Sequence, residues 1–89
     1  MYYIVGLGNP GIQYENTRHN AGFITIDYLA RKYSIDVRKI KFKSLIGQGV
    51  ISGHKVMLVK PQTYMNNSGE AIREIYKYFD FDHDKLIVI

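Results

Sequence analysis

A glycine-rich loop that directly follows a β-prone segment is the feature that most constrains the fold of this chain. Residues 2–7 predict a first strand, and Gly6-Leu7-Gly8-Asn9-Pro10-Gly11 then matches the pattern G-x-G-x-x-G. In open α/β sheets, ligands bind beside the carboxyl ends of the strands, where this loop would lie. The pattern favours two interpretations: a dinucleotide-binding loop, or glycines that let the backbone turn tightly beside a site and hold Asn9 there.

The surroundings of the loop argue against dinucleotide binding. A dinucleotide-binding loop opens a helix directly, so that the pyrophosphate meets the helix N-terminus, whereas residues 12–18 intervene here. The next strand also lacks a terminal acidic residue for the ribose. We therefore favour the tight-turn interpretation, and a nucleotide-binding module remains the alternative that binding of NAD or FMN would support.

Periodicity along the rest of the chain predicts two helices and three more strands. Helical spacing starts at Ala21, and a second helix follows Asn67, which is spaced from Glu70 as in a capping box. The second helix carries apolar residues at i, i+3, i+4 and i+7, namely Ile72, Ile75, Tyr76 and Phe79. Strands are predicted over residues 44–51, 56–59 and 85–89.

The connections between these elements indicate the fold class. Only a short stretch that contains Ser52-Gly53-His54 separates the second and third strands, which predicts an antiparallel hairpin, and the unbroken apolar run 56–59 predicts burial on both faces. We predict an α/β fold with a mixed β-sheet and helices packed on its faces, an incomplete three-layer α/β/α sandwich. Residues 1–89 are predicted to be a single, partial domain, because the chain stops inside an apolar strand whose sides need partners.

Composition narrows the class of partner. Lys and Arg number 12 and Asp and Glu 8, so the net charge is 12 − 8 = +4. Arg38, Lys39, Lys41 and Lys43 form a basic cluster, which is either a solvated face or a track for a phosphate backbone. The chain has no cysteine, which excludes thiolate chemistry, and we expect neither a signal peptide nor a membrane segment. These features favour a cytoplasmic protein.

His19 has two interpretations: a helix-flanking histidine that only hydrogen-bonds locally, or a general base. It precedes the first helix, whereas His54 and His83 are expected on the surface without a role, and no metal site is predicted. A histidine that is neutral near pH 7 can take a proton from water. Asn9 and Asn66 would lie at the same end of the sheet, where amide side chains can hold a carbonyl or donate to a developing oxyanion. Because no Ser, Thr or Cys has the context of a nucleophile, we expect direct attack by water.

Two ordered motifs resemble signatures of the bacterial-type peptidyl-tRNA hydrolase family. The first runs from Val5 to Gly11 and continues through Tyr14 and Thr17-Arg18-His19-Asn20-Ala21-Gly22. The second is Lys60-Pro61-Gln62-Thr63-Tyr64-Met65-Asn66-Asn67-Ser68-Gly69. The resemblance covers the whole chain, whereas the domain of the family is about twice this length.

The resemblance implies a function and a role for each matching residue. It implies hydrolysis of the ester between peptide and tRNA, with peptidyl-tRNA as partner, no cofactor, no membrane association and a monomeric full-length form. His19 matches the catalytic base. Asn9 matches the asparagine that distinguishes peptidyl-tRNA from aminoacyl-tRNA, and Asn66 matches one that helps to place the reacting carbonyl and water. Tyr14 and Tyr64 match positions that line the site for the tRNA 3′ end.

The resemblance implies that part of the family pattern lies beyond Ile89: an orienting aspartate, a further substrate-binding asparagine and the basic residues that clamp tRNA phosphate. The family carries an aspartate just after the fourth strand that orients the histidine, and the chain ends before that position. By analogy with the orienting acid of hydrolase triads, we expect the isolated chain to be inactive or very weak. A non-catalytic RNA-binding protein that retained the fold is the second alternative.

Overall fold

The computed structural model describes residues 1–9, 20–63, 68–77, 79 and 84–89, which form five strands and two helices. The elements, in chain order, are β1 (Tyr2–Val5), α1 (Ala21–Lys32), β2 (Lys39–Lys41), β3 (Ser44–Ile51), β4 (His54–Pro61), α2 (Ser68–Tyr76) and β5 (Lys85–Val88). No helix in this described part of the chain is long and apolar enough to cross a membrane.

The sheet is mixed, as predicted. Its strand order is β2-β3-β4-β1-β5. Strand β1 runs parallel to both β4 and β5, whereas β3 is antiparallel to both β2 and β4. Strands β3 and β4 are therefore joined as a hairpin and not as a βαβ crossover, which removes the context that a dinucleotide-binding loop requires.

The hairpin prediction is confirmed, but His54 was placed wrongly. Strand β3 has the predicted bounds, whereas β4 is longer than predicted and the turn is tighter, because Ile51 pairs directly with His54 and only Ser52 and Gly53 lie between them. Both turn residues have positive φ, as a two-residue type I′ turn requires. His54 belongs to β4, where its ring makes an edge contact with Tyr2 at 5.3 Å between centroids.

Strand β4 is buried on both faces, which confirms the prediction from its unbroken apolar run. Val56 and Leu58 face α1 and pack in a cluster with Ile26 and Ile35. Met57 and Val59 face α2, and their cluster is completed by Tyr3, Val5, Phe42, Ile46 and Ile75. The two helices therefore cover opposite faces of the sheet, which gives the predicted α/β/α layers.

Other features of the secondary structure also differ from the prediction. Strand β1 ends at Val5, two residues before the predicted end. Phe79 lies beyond α2, which ends at Tyr76, although its ring still packs against those of Tyr3 and Tyr76. Strand β2 was not predicted, because its sequence Lys-Ile-Lys is exposed at every position and has no apolar face to bury. Asn67, the predicted helix cap, lies outside the described residues.

Tyr3 generates a prediction for alkaline pH. Burial raises the pKa of the Tyr3 hydroxyl, and the negative charge of Asp84 raises it further. The folded state therefore holds this proton more tightly than the unfolded chain does, and the contribution of Tyr3 to stability is fully present below pH 10. Above that pH, we expect the free energy of unfolding to fall by up to about 1.4 kcal/mol per pH unit until the folded protein also ionises.

Urea denaturation at pH 9 to 11.5 measures this effect, and Tyr3→Phe is its control. The variant lacks the ionisable group, so its free energy of unfolding should decline less over the same range. Identical declines in the two proteins would contradict the assignment to Tyr3.

Candidate active site

The carboxyl ends of β1 and β4 lie at one edge of the sheet, because the two strands are parallel. The chain that leaves β1 contains Asn9 and returns at Asn20 to start α1, and the chain that leaves β4 leads into α2. Asn9 is therefore at the predicted edge. His19, Tyr14, Tyr64 and Asn66 lie outside the described residues, so their positions in the site stay predictions.

A hydrogen bond joins Asn9 to the residue that follows His19. The backbone N–H of Asn9 donates to Oδ1 of Asn20 at 2.8 Å. Asn20 is 4% exposed and occupies the N-cap position of α1, yet its side chain makes no capping hydrogen bond. The side-chain oxygen of Asn20 instead accepts the hydrogen bond from Asn9 on the other side of the loop. This contact fixes the backbone at Asn9 relative to the helix whose start adjoins His19.

Sequence reasoning missed Asn20 as a positioning residue. An asparagine immediately before a helix is ordinarily an N-cap that bonds its own first turn. No sequence signal identifies the partner of Asn20, because the donor is the backbone N–H of Asn9, which any residue except proline would supply. The contact becomes evident only when both arms of the loop are placed in space.

Three glycines allow α1 to lie directly on the end of β1. A Cβ atom at Gly22 would overlap the backbone N and O of Leu7, and one at Gly6 would overlap the carbonyl oxygen of Gly22. A Cβ atom at Gly8 would lie 2.7 Å from Cγ of Phe23. Real Cβ atoms do not approach other atoms so closely, so any side chain at these positions would push the helix away from the strand.

This contact corrects the reason proposed for the glycines. The sequence interpretation assigned them to a tight turn that needs unusual backbone angles. Among the described residues, the only glycine with positive φ is Gly53, so neither Gly6 nor Gly8 is required for its conformational freedom. They are required for space, because two backbones meet here without side chains between them.

An ion pair holds α1 against β4 at the same edge. Nζ of Lys60 lies 2.8 Å from Oδ1 of Asp27 and 5.0 Å from the centroid of the Phe23 ring. The Lys60 side chain is 17% exposed, but its partner Asp27 is 56% exposed, so the ion pair lies at the surface and contributes little to stability by its charge alone.

The turn between β2 and β3 contacts both sides of the segment that contains Tyr64 and Asn66. The backbone carbonyl of Lys43 accepts a hydrogen bond from the backbone N–H of Gln62 at 2.9 Å. The side-chain Nζ of Lys43 lies 3.3 Å from Oε2 of Glu70. Gln62 precedes the segment, and Glu70 lies in the first turn of α2, which follows it. The turn thus connects the two ends of the segment.

The described residues contain no group of three or more His, Cys, Asp or Glu side chains that could hold a metal ion. His54 lies at the amino end of β4, opposite to Asn9, and His83 lies outside the described residues. The chemical groups that the structure brings together at the carboxyl edge are amides and paired charges. Such groups can bind and orient a polar substrate.

Comparison with known proteins gives a consistent family match. A family model described as peptidyl-tRNA hydrolase matches residues 3–89. The chain is 63% identical over 89 residues to the peptidyl-tRNA hydrolase of Lachnospira eligens and 60% identical to that of Finegoldia magna, with all of this chain covered. It covers 48% and 47% of those two proteins, so it spans about half the length of the curated relatives that it matches.

A solved structure extends the match to the fold. The crystal structure of peptidyl-tRNA hydrolase from Acinetobacter baumannii aligns with a TM-score of 0.83 and 48% sequence identity. The alignment covers 88% of this chain and 40% of that protein.

The glycine contact predicts opposite effects for the same substitution in two helices. Gly22→Ala should destabilise the protein by about 3 kcal/mol, because the new methyl group meets backbone atoms that cannot move independently. Gly69→Ala, in α2, should be neutral or stabilise the protein by up to about 1 kcal/mol. No atom lies within 4 Å of the position that the new Cβ would occupy, and alanine has a higher helix propensity than glycine. Urea midpoints of both variants check this, and equal effects would contradict the close packing of α1 on β1.

The Asn9–Asn20 hydrogen bond predicts a split between two substitutions at Asn20. Asn20→Ala should cost about 1–3 kcal/mol of stability, because it leaves the Asn9 N–H without its acceptor. Asn20→Asp retains an acceptor oxygen and should lose less stability than Asn20→Ala does. Thermal unfolding compares the two, and hydrogen exchange at the Asn9 amide gives a local measurement. If exchange at this amide were unchanged in Asn20→Ala, the hydrogen bond would not protect it.

Proposed function

This chain belongs to the peptidyl-tRNA hydrolase family, and from that premise we propose that the protein containing it hydrolyses the ester bond between peptide and tRNA. The proposed substrates are peptidyl-tRNAs that are released from ribosomes or stalled on them, so the reaction recovers tRNA. The observation that carries the proposal is the buried Asn20, which bonds Asn9 and directly follows His19. This hydrogen bond holds two residues of the first motif, Asn9 and Asn20, at one edge of the sheet.

We propose His19 as the general base. It takes a proton from water, and the resulting hydroxide attacks the ester carbonyl carbon. The tetrahedral intermediate then collapses, the bond to the ribose oxygen breaks, and the proton passes to that oxygen. The products are a tRNA with a free hydroxyl and a peptide with a new carboxyl group, which releases its proton to water and leaves as the carboxylate. A positioned base of this kind contributes typically 10²–10⁴-fold to the rate. The proposed reaction needs no metal or organic cofactor.

Substrate selection is assigned to Asn9. A peptidyl-tRNA presents an amide next to the ester, whereas an aminoacyl-tRNA presents a charged amino group. A neutral amide side chain can donate to the carbonyl of that peptide bond and accept from its N–H. The fixed backbone at Asn9 supports this role, because it limits the positions that the side chain can reach. We propose that Asn66 helps to place the ester and that Tyr14 and Tyr64 hold the tRNA 3′ end by stacking.

The isolated chain is proposed to be inactive or very weak. It spans about half the length of its curated relatives, and the resemblance to the family implies an orienting aspartate beyond the matched positions. Without such an acid, His19 lacks the partner that fixes its tautomer and stabilises its protonated form. We propose that the full-length form is a monomer that acts in the cytoplasm, where ribosomes produce the substrate.

Hydrolysis of N-acetyl-aminoacyl-tRNA tests these proposals. The chain alone is compared with a chimera in which it is followed by the rest of the Lachnospira eligens relative. We expect activity in the chimera and at most traces in the chain. In the chimera, His19→Ala should lower kcat by about 10²–10⁴-fold. The control is His54→Ala, which removes an exposed histidine at the opposite edge and should leave kcat unchanged.

The same assay tests Asn9 with two substrates. Asn9→Ala should lower kcat/KM for N-acetyl-aminoacyl-tRNA more than for free aminoacyl-tRNA, so the preference between the two narrows. If His19→Ala retained full activity, the assignment of the base would be wrong. An inactive chimera that still binds tRNA would favour a non-catalytic RNA-binding protein.

A further inference from the structure

An apolar recess opens at the carboxyl edge of the sheet, beside the residues that follow β4. It has a volume of about 410 Å³, within the range of about 300–1,000 Å³ that is typical of small-molecule sites. Its lining comes from β2, β3, the turn between them and the residues after β4: Ile40, Lys43, Ser44, Leu45, Gln62 and Thr63. This cavity is named the apolar recess below.

The two aliphatic side chains of the apolar recess lie on the face of the sheet that α1 covers. Ile40 pairs with Leu45, and Leu45 pairs with Lys60 on β4. Residues that lie directly opposite each other in neighbouring strands project to the same face, and Lys60 contacts Asp27 and Phe23 of α1. Ile40 nevertheless remains 81% exposed, so α1 does not reach this part of the face. The described chain therefore leaves a concave aliphatic surface open beside a polar edge.

The polar groups at the rim of the apolar recess bond to one another or to nearby charges. Nζ of Lys43 lies 3.3 Å from Oε2 of Glu70. The backbone N–H of Gln62 donates to the carbonyl of Lys43, and Nε2 of Gln62 donates to the carbonyl of Lys60 at 3.0 Å. Because the positive charge of Lys43 is paired, the recess favours an apolar occupant over a phosphate group, whose binding depends on positive charge.

Thr63 adds a hydroxyl group to this lining. Its side-chain oxygen is buried and has no hydrogen-bond partner among the residues that the structure describes. A buried hydroxyl without a partner destabilises a protein, and such groups are rare in folded chains. Rotation about χ1 moves this hydroxyl to another staggered position without breaking a hydrogen bond. A ligand in the recess can therefore gain a hydrogen bond from Thr63 at no cost to the protein.

The apolar recess lies within reach of a peptide that is esterified at the candidate active site. Only β4 separates β3, which carries Leu45, from β1, so the two strands lie about 10 Å apart at about 4.8 Å per strand spacing. Asn9 follows the carboxyl end of β1. An extended peptide advances about 3.3 Å per residue, so about three residues span this distance. The third residue from the ester therefore reaches the recess.

We propose that the apolar recess binds an aliphatic side chain of the peptide in peptidyl-tRNA, at the third residue from the ester. The proposal rests on the function proposed above and adds a preference for the sequence of the peptide. The RNA end of the substrate is polyanionic, and the described lining contains no aromatic side chain on which a base could stack. The peptide end carries the aliphatic groups that match Ile40 and Leu45, and its backbone bonds the hydroxyl of Thr63.

The peptide preference of the chimera tests this proposal. The substrates are N-acetyl-Leu-Gly-Ala-tRNA and N-acetyl-Gly-Gly-Ala-tRNA, which differ only at the third residue from the ester. We expect kcat/KM to be about tenfold higher for the Leu substrate, because aliphatic groups in an apolar pocket discriminate by at least about this factor. Equal values for the two substrates would overturn the proposal.

Removal of the aliphatic lining should abolish the preference. The variant is Ile40→Ser with Leu45→Ser, and the matched control is Val50→Ser with Ile51→Ser. Each replaces one exposed and one half-buried aliphatic residue, and the control lies at the other end of β3. The Leu and Gly substrates should become equivalent in the variant, whereas the control should retain the preference. Since the two substrates are compared in one preparation, their ratio does not depend on the folded fraction.

The same variants distinguish a peptide site from a surface that another part of the full-length protein covers. In that case the variant would lower the melting temperature of the chimera more than the control does, and the preference for Leu would be unchanged. Such a result would overturn the proposal.

Thr63 gives a second readout, which a structural role would not produce. Thr63→Val should leave the melting temperature of the chimera equal or higher, because the hydroxyl has no protein partner to lose. It should lower kcat/KM for both tripeptide substrates by about three- to tenfold, and Thr63→Ser should restore the activity. A lower melting temperature with unchanged kcat/KM would make the hydroxyl structural and would contradict its assignment to the peptide.

Failure of this proposal is separable from failure of the proposed function. If the chimera hydrolyses N-acetyl-Ala-tRNA but does not prefer the Leu substrate, the recess is assigned wrongly and the function stands. If the chimera is inactive, the probes are the same two tripeptides joined by an amide to 3′-amino-3′-deoxyadenosine. Tighter binding of the Leu probe that is lost in the Ile40→Ser, Leu45→Ser variant would support the recess without the chemistry, and equal Kd values would overturn it.

Discussion

The backbone contact between β1 and α1 is the constraint on which the rest of the structure depends. Gly22 allows the first turn of α1 to reach the backbone of Leu7, and Leu7 in turn donates its N–H to the carbonyl of Ile89. One short segment therefore holds a helix on its face and a strand at its side. Since the contact involves backbone atoms, rotamer changes cannot relax it. The loop that leaves β1 therefore starts from a fixed position and brings Asn9 to Asn20.

The Asn9–Asn20 hydrogen bond adds a buried polar contact at that fixed position. A buried amide is costly unless it is bonded, so Asn20 stabilises the loop only in the arrangement that satisfies it. The helix gives up a side-chain cap for this contact. Such an exchange of local stability for a contact across a loop is common where geometry at a site matters more than helix stability. At the same edge, the turn that contains Lys43 makes a similar contact, because it bonds Gln62 before residues 64–67 and Glu70 after them.

Much of the fold could be predicted because its signals are local. The turn at Ser52-Gly53 and the unbroken apolar run of β4 determine the hairpin and its two-sided burial. The role of Gly22 could not be predicted, because its reason is a neighbour distant in sequence. Strand β2 was missed because its three residues are exposed and its pairing with β3 is not visible in the periodicity of the sequence. Of the predicted site residues, the structure describes Asn9 alone, so the assignment of the others depends on the motifs.

Positive charge at the carboxyl edge of the sheet is balanced by nearby carboxylates. Lys43 lies 3.3 Å from Glu70, and Lys60 lies 2.8 Å from Asp27. An unpaired ammonium group near a general base disfavours its protonated form and lowers its pKa, which weakens it as a base near neutral pH. A lysine that is paired with a carboxylate produces a smaller field, so these two cations would disturb a base at this edge less than unpaired cations would.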